Sequence, residues 1–228
     1  MTTAQLQPPS RTGSTPAAQA GKAISGEVFG TLINLSGRRR VTSQRVILFA
    51  VLASMGQEDA AADAQAALAL FADAHATLID GDRTLPGVFS PALHEAYFGP
   101  LQGNKKMLEF ITLAQQTLAA MRANAHPAPG LLEQLVRSAN PMLALSNQIT
   151  LLYEEESKRH ALQVKKQLQE LMTDMQSIAL EARMVSVNAQ IIAARAGSAG
   201  REFSVVARAL SDITGKIDTL AHEAMHRA

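Results

Sequence analysis

The chain has 228 residues, a formal net charge of +1, 4% aromatic residues and no cysteine. The balanced charge argues against a nucleic-acid or membrane-surface partner, and the lack of cysteine excludes disulfides and cysteine metal sites. The longest apolar run, Val46 to Ala53, is far shorter than the roughly 20 residues needed to span a bilayer. We therefore expect no membrane segment and a cytoplasmic protein.

The predicted elements are all helical, because alanine, leucine, glutamine and glutamate are abundant and β-branched runs are few. Residues 1–21 are rich in Pro, Ser, Thr and Gly and predict a flexible tail. One helix is expected from about Ile24 to Met55, and a second from Glu58 to the turn at Gly81. After a loop with a short helix at 91–97, a third helix is predicted from Asn104 to Asn124.

The fourth predicted helix begins near Gly130 and continues to a glycine turn at Gly197, a length typical of a coiled coil. Its apolar residues recur at steps of three and four, and the same spacing continues after the turn. Two such seams facing each other across a short turn predict an antiparallel coiled-coil hairpin. The seam residues are Val164, Leu168, Leu171, Met175, Ile178, Ala182, Val185, Ala189, Ile192 and Ala196, followed by Phe203, Val206, Leu210, Ile213, Ile217, Leu220 and Ala224.

An upstream seam between Leu131 and Leu152 has a different phase, and it meets the hairpin seam through the charged segment 154–160. An inserted step of four residues relaxes supercoiling locally. The segment is either a solvated stretch between two bundles or a joint that relays movement from one to the other. We expect a four-helix domain over residues 22–157 and a hairpin over residues 158–228.

An arginine-rich motif, INLSGRRRVTSQRV, occupies residues 33–46 of the first helix. Helical spacing places Gly37, Arg40 and Gln44 on one face, where glycine permits close approach of another helix. If a two-fold axis passes this face, two Arg40 guanidinium groups meet and a planar anion can accept hydrogen bonds from both. The alternative is an ordinary solvated basic face.

This motif resembles the first helix of the type IV pilus chemotaxis transducer N-terminal domain and the sensor domain of nitrate-responsive histidine kinases. The resemblance implies a dimeric four-helix bundle that binds a small anion, nitrate or nitrite, between two copies of Arg40. The ligand-binding residues expected on this basis are Arg40, Gly37, Asn34, Ser43 and Gln44, and Arg45 is a further residue of the motif that carries the resemblance.

The run from Ala193 to Gly197, with Gly200, Arg201 and Phe203 after the turn, resembles the tip of methyl-accepting chemotaxis proteins. We expect a truncated form of that tip, with a return helix that ends at Ala228. In that family the tip contacts a histidine kinase and its coupling protein. Ile192 and Ser198 stand where the family has glutamates, so a different regulatory partner is left open. The partner-binding residues implied by the resemblance are Asn188, Arg195, Gly197, Gly200, Arg201, Phe203 and Val206.

The sequence carries no signature of an enzyme, a cofactor site or a metal site. His222 and His226 are spaced to share a helix face, but a third ligand is missing, so a solvent-facing pair is expected. The sequence thus predicts a cytosolic, dimeric, all-α signal transducer. Two alternatives are a truncated receptor-like scaffold of a chemosensory or pilus complex, and an anion-responsive partner of a transcriptional or antitermination regulator.

Overall fold

The computed structural model describes the backbone of residues 24–227 and the side chains of residues 24–224. All regular elements in this range are helical, which confirms the all-α class; the tail predicted at 1–21 lies outside the described residues. None of the helices between residues 24 and 227 is long and apolar enough to cross a membrane. The elements are α1 (Gly26–Ser54), α2 (Ala60–Asp80), α3 (Pro91–Phe98), α4 (Gly103–Arg122), α5 (Ala128–Arg137), α6 (Ala139–Arg195), a 3₁₀ turn (Gly197–Gly200) and α7 (Arg201–Arg227).

Four long helices, α1, α2, α4 and the first part of α6, pack around one hydrophobic core. Each contributes a side chain with no exposed surface: Leu32, Phe71, Met107 and Ile149. The short helix α3 packs against α4 and α6. Burial of such side chains stabilises the fold by roughly 1.5–3 kcal/mol each, so this core is the main source of stability for the bundle.

The predicted unbroken helix from Gly130 to Gly197 is wrong, because α5 ends at Arg137 and a new helix begins at Ala139. The signal is Pro141, the third residue of α6. Proline has no backbone N–H, and the first turn of a helix is where this N–H has no helical partner. Pro141 is therefore compatible with the start of a helix and not with the middle of one.

The hairpin formed by α6 and α7 is held by a row of small buried residues spaced seven apart. Helix α6 has 57 residues, which is about 85 Å of helix. Small side chains allow the two backbones to approach closely, and a glycine is required where α6 meets the turn. A Cβ on Gly200 would collide with the carbonyl oxygen of Ala193. The row consists of Ala179, Ser186, Ala193, Gly200, Ala207, Thr214 and Ala221.

The predicted seam of large apolar residues is not the contact between α6 and α7. Ile178 and Val206, for example, are 65% and 64% exposed. Each of these large apolar residues directly precedes a small residue of the buried row. The small residues are too weakly hydrophobic for the sequence pattern to identify them as the contact. The large residues therefore form an outward-facing apolar surface along both helices of the hairpin.

A bulky residue at position 200 should separate α6 from α7. Gly200→Leu should lower the free energy of opening α7 by about 1–3 kcal/mol, because the side chain must displace the Ala193 backbone. Hydrogen exchange of the α7 amides measures this opening. The matched control is Gly215→Ala, where an added Cβ has open space. Equal protection of α7 in Gly200→Leu and in the unmodified chain would contradict the packing described here.

Candidate functional site

The arginine-rich motif of α1 divides between the surface and the core. Arg38, Arg40 and Arg45 are exposed, whereas Arg39 has no exposed surface. Arg39 lies three or four residues from the buried Ser36 and Ser43, and seven residues from the buried Leu32 and Val46. It therefore belongs to the core face of the helix, and the other three arginines belong to its outer faces.

Arg40 has a neutral partner at the surface: its Nη1 donates to Asn147 Oδ1 on α6 at 3.0 Å. Among the described side chains, no carboxylate forms an ion pair with it. Gln44 Nε2 donates to the backbone oxygen of Ala139 at 3.2 Å. Asn34, Gly37, Arg40 and Gln44 thus lie along one side of α1, with exposed or half-buried side chains.

Ser43, the fifth predicted ligand residue, faces the other way. Its side chain is fully buried and its Oγ donates to the backbone oxygen of Arg40 at 2.7 Å. The structure therefore does not bring the Ser43 hydroxyl to the Arg40 guanidinium, and its predicted ligand role is not tested by this arrangement.

The outer face of α1 has open space beside its glycines, where another helix could approach. A Cβ added to Gly30 or Gly37 would meet nothing within 4 Å. Two large apolar residues on the same side, Val41 and Leu48, are 53% and 54% exposed. These glycines and apolar residues, at steps of four and seven, form a stripe of the kind that packs against a second helix.

A hydrogen-bonded cluster in the bundle core surrounds Arg39. Its Nη1 donates to Tyr97 Oη at 3.1 Å and lies 3.1 Å from His75 Nδ1. His75 Nε2 is 2.9 Å from Asn104 Oδ1, and Tyr97 Oη is 3.3 Å from Tyr153 Oη. The cluster connects α1, α2, α3, α4 and α6, so it reaches every side of the bundle.

His75 is neutral in this cluster. Burial, and secondly the positive charge of Arg39, lower the pKa of His75 from 6.5 to about 4. The neutral ring accepts at Nδ1 from Arg39 and donates from Nε2 to Asn104, which fixes one tautomer. Burial also raises the pKa of Tyr153, so neither group supplies a negative charge to balance Arg39.

The predicted residues of the hairpin tip surround the turn. Gly197 has φ 63°, a left-handed conformation that favours glycine, and Gly200 is buried against Ala193. The others are exposed: Asn188, Arg195, Arg201, Phe203 and Val206. The structure thus places polar and apolar groups together on the outside of the tip; it does not test whether a protein binds there.

A groove of about 800 Å³ lies at the other end of the bundle, between α1, α4 and α5. It is lined mainly by apolar residues, including Val51, Leu118, Met121, Leu132 and Val136. Its lining includes neither Arg39 nor Arg40, so it is separate from both arginine environments.

Comparison with known protein families finds a match in the N-terminal part of the chain. The model of the type IV pili methyl-accepting chemotaxis transducer N-terminal family, PilJ, matches residues 29–128. This stretch runs from the first turn of α1 to the start of α5 and contains the arginine motif, His75, Tyr97 and Asn104. The match indicates a chemotaxis-transducer-like signalling role for this part of the chain.

Searches among curated proteins and among solved structures find no match. The nitrate-sensor and chemoreceptor-tip resemblances therefore stay predictions. The same holds for the division into domains at 157/158.

Sequence reasoning missed the Arg39 cluster, although one signal for it was present. The series Leu32, Ser36, Arg39, Ser43, Val46 and Ala50 follows helical spacing and places Arg39 among small or apolar residues. What the sequence could not supply is the partners, because His75, Tyr97 and Tyr153 come from three other helices.

The buried, neutral His75 should make folding stability depend on pH. Between pH 6.5 and about 4 the unfolded chain binds a proton at this ring and the folded chain does not. The free energy of unfolding should therefore fall as pH drops through this window, by at most about 3 kcal/mol. Urea unfolding at pH 7, 6, 5 and 4.5 measures the slope.

His75→Gln should flatten this dependence, whereas His94→Gln, which alters an exposed imidazole, should keep it. An equal slope in His75→Gln and in the unmodified chain would show that another group causes the pH dependence.

Proposed function

We propose that this chain is a dimeric, chemotaxis-transducer-like sensor that binds a small anion, with nitrate or nitrite as the first candidates, between two copies of Arg40. The main support for the proposal is the environment of the Arg40 side chain. It is an exposed cation with a neutral amide as its partner, on a helix face that is open to another helix. A guanidinium in that position retains donors for a planar anion.

The exposed apolar surfaces support the dimer. On α1, Val41 and Leu48 flank the open glycines. On the hairpin, two rows at seven-residue spacing lie at matching distances from the turn, so a second hairpin could cover both and complete a four-helix bundle. The rows are Ile178, Val185 and Ile192 on α6, and Val206, Ile213 and Leu220 on α7, all at least 54% exposed.

The connection between sensor and hairpin supports a relay. Helix α6 contributes Tyr153 to the bundle core and continues without a break into the hairpin. At the junction, the His160 ring lies 5.2 Å from the Phe29 ring at the start of α1. A change in the position of α1 relative to α6 would therefore reach the hairpin through one continuous helix. The anion can shift this equilibrium only if it prefers one dimer packing.

The output in this proposal is contact between the hairpin tip and a histidine kinase with its coupling protein, or another regulatory protein, in the cytoplasm. The exposed Arg195, Arg201 and Phe203 would contribute to that contact.

Nitrate should tighten the dimer through Arg40. At nitrate concentrations about ten times its own Kd, the dimer Kd should fall about tenfold, because the anion binds the dimer and not the monomer. Sedimentation velocity at constant ionic strength measures this with nitrate, nitrite, sulfate and chloride. Arg40→Ala should abolish the effect.

Arg38→Ala is the matched control, since it removes another exposed arginine, on a different side of α1. A loss of similar size in Arg38→Ala, or an equal effect of all four salts, would refute binding at Arg40. A dimer that responds to none of the anions would favour the scaffold alternative.

Charges on the hairpin rows should weaken the dimer directly. Val185→Glu combined with Ile213→Glu should raise the dimer Kd at least about 100-fold, because the interface would bury unpaired carboxylates. Light scattering across a dilution series measures the dissociation. Arg208→Glu, an exposed substitution off these rows, should have little effect. An unchanged Kd in the double variant would place the dimer contact elsewhere.

A further inference from the structure

We propose a second anion site inside each protomer, at the buried Arg39, that takes a small monovalent anion and does not depend on the Arg40 site or on dimerisation. The site lies in the core of the bundle, between α1 and its neighbours. Arg39 has no exposed surface, so a ligand there would be enclosed by the protein.

The free donors of Arg39 have the geometry of an anion-binding fork. Nη1 is occupied by His75 and Tyr97, whereas Nε and Nη2 are buried and have no hydrogen-bond partner among the described residues. The Nε–H and the adjacent Nη2–H are parallel, and together they form the side-on pair that binds two oxygens of a planar oxyanion or a single halide. The two nitrogens without a partner, Nε and Nη2, therefore lie on the same edge of the guanidinium and can bind one anion together.

The charge of Arg39 is not balanced by the protein. Within the described side chains no Asp or Glu is buried, and the ion pairs lie at the surface without involving Arg39. The side chains that form the cluster with Arg39 are an imidazole, two hydroxyl groups and an amide, and none of them is a carboxylate. An isolated buried cation is strongly unfavourable, and a bound anion would offset part of that cost.

The packing of α1 against α6 brings a further polar group, the Ser146 hydroxyl, to the height of Arg39 along the bundle. Ser36 pairs with Thr150 at 2.8 Å and Arg40 pairs with Asn147, which places Ser146 beside the turn of α1 that carries Arg39. Ser146 Oγ is buried and also has no hydrogen-bond partner among the described residues. A hydroxyl donor at this level suits an anion, and a monovalent one is favoured because desolvation of a divalent anion costs far more.

The test uses the Arg40→Ala chain, which removes the proposed surface site, so that failure here and failure of the proposed function can be told apart. Thermal unfolding is followed at constant ionic strength while gluconate is replaced by chloride, bromide or nitrate. Gluconate is too large for an enclosed site. We expect a saturable rise in Tm of about 5 °C with at least one of the small anions.

Two further variants in the Arg40→Ala background assign the effect to Arg39. Arg39→Met removes the charge and the fork, and should remove the response. Arg39→Lys keeps the charge without the fork, and should lose any preference for nitrate over halide. Crystals of the Arg40→Ala chain grown in bromide should show anomalous density within hydrogen-bond distance of Arg39 Nε and Nη2, a readout that does not require either Arg39 variant to fold.

The absence of any anion-specific rise in Tm in the Arg40→Ala chain would overturn the proposal. So would a response that persists in a folded Arg39→Met variant, or, where bromide raises the Tm, a bromide-grown crystal without density at Arg39.

Discussion

A buried guanidinium with no acidic partner is the constraint that organises the bundle. Arg39 has no exposed surface, and its Nη1 is shared between His75 and Tyr97. Polar side chains from α2, α3, α4 and α6 form a hydrogen-bonded cluster around this one cation in the core of the bundle. Such a cluster costs more free energy than a hydrophobic core of equal volume, but it specifies which helices meet and at what level.

The contact between α6 and α7 in the hairpin differs from the core of the bundle. Its two helices are joined by small residues such as Ala193, Gly200 and Ala207, which bring the backbones close but bury little apolar area. The large apolar residues that would ordinarily stabilise a pair of helices point outward. An isolated hairpin of this kind leaves a long hydrophobic surface in water, and surfaces of that size usually mark interaction sites. This is why the proposed function includes a second copy of the chain.

Helical periodicity was sufficient to predict the class of fold and the approximate bounds of α1, α2 and α4, because those helices have regular spacing and clear turn residues. Periodicity failed at the boundary between α5 and α6 and for the contact face of the hairpin. Pro141 marks the start of α6, and the phase of the hairpin depends on alanines and serines that carry almost no hydrophobic signal. Periodicity could not predict the partners of Arg39, because His75 and Tyr97 are 36 and 58 residues away in the chain.

The two arginines that differ most in environment are neighbours on the same helix. Arg40 lies at the surface and contacts Asn147, whereas Arg39 reaches Tyr153 through Tyr97, so both are connected to the first part of α6. Helix α6 is also the element that enters the hairpin. Because Arg39 and Arg40 are consecutive residues of one continuous helix, a shift of α1 at its outer face also shifts Arg39 in the core. Any displacement of α1 against α6 must therefore rearrange the buried cluster, which gives the bundle an energetic reason to occupy discrete packings rather than a continuous range.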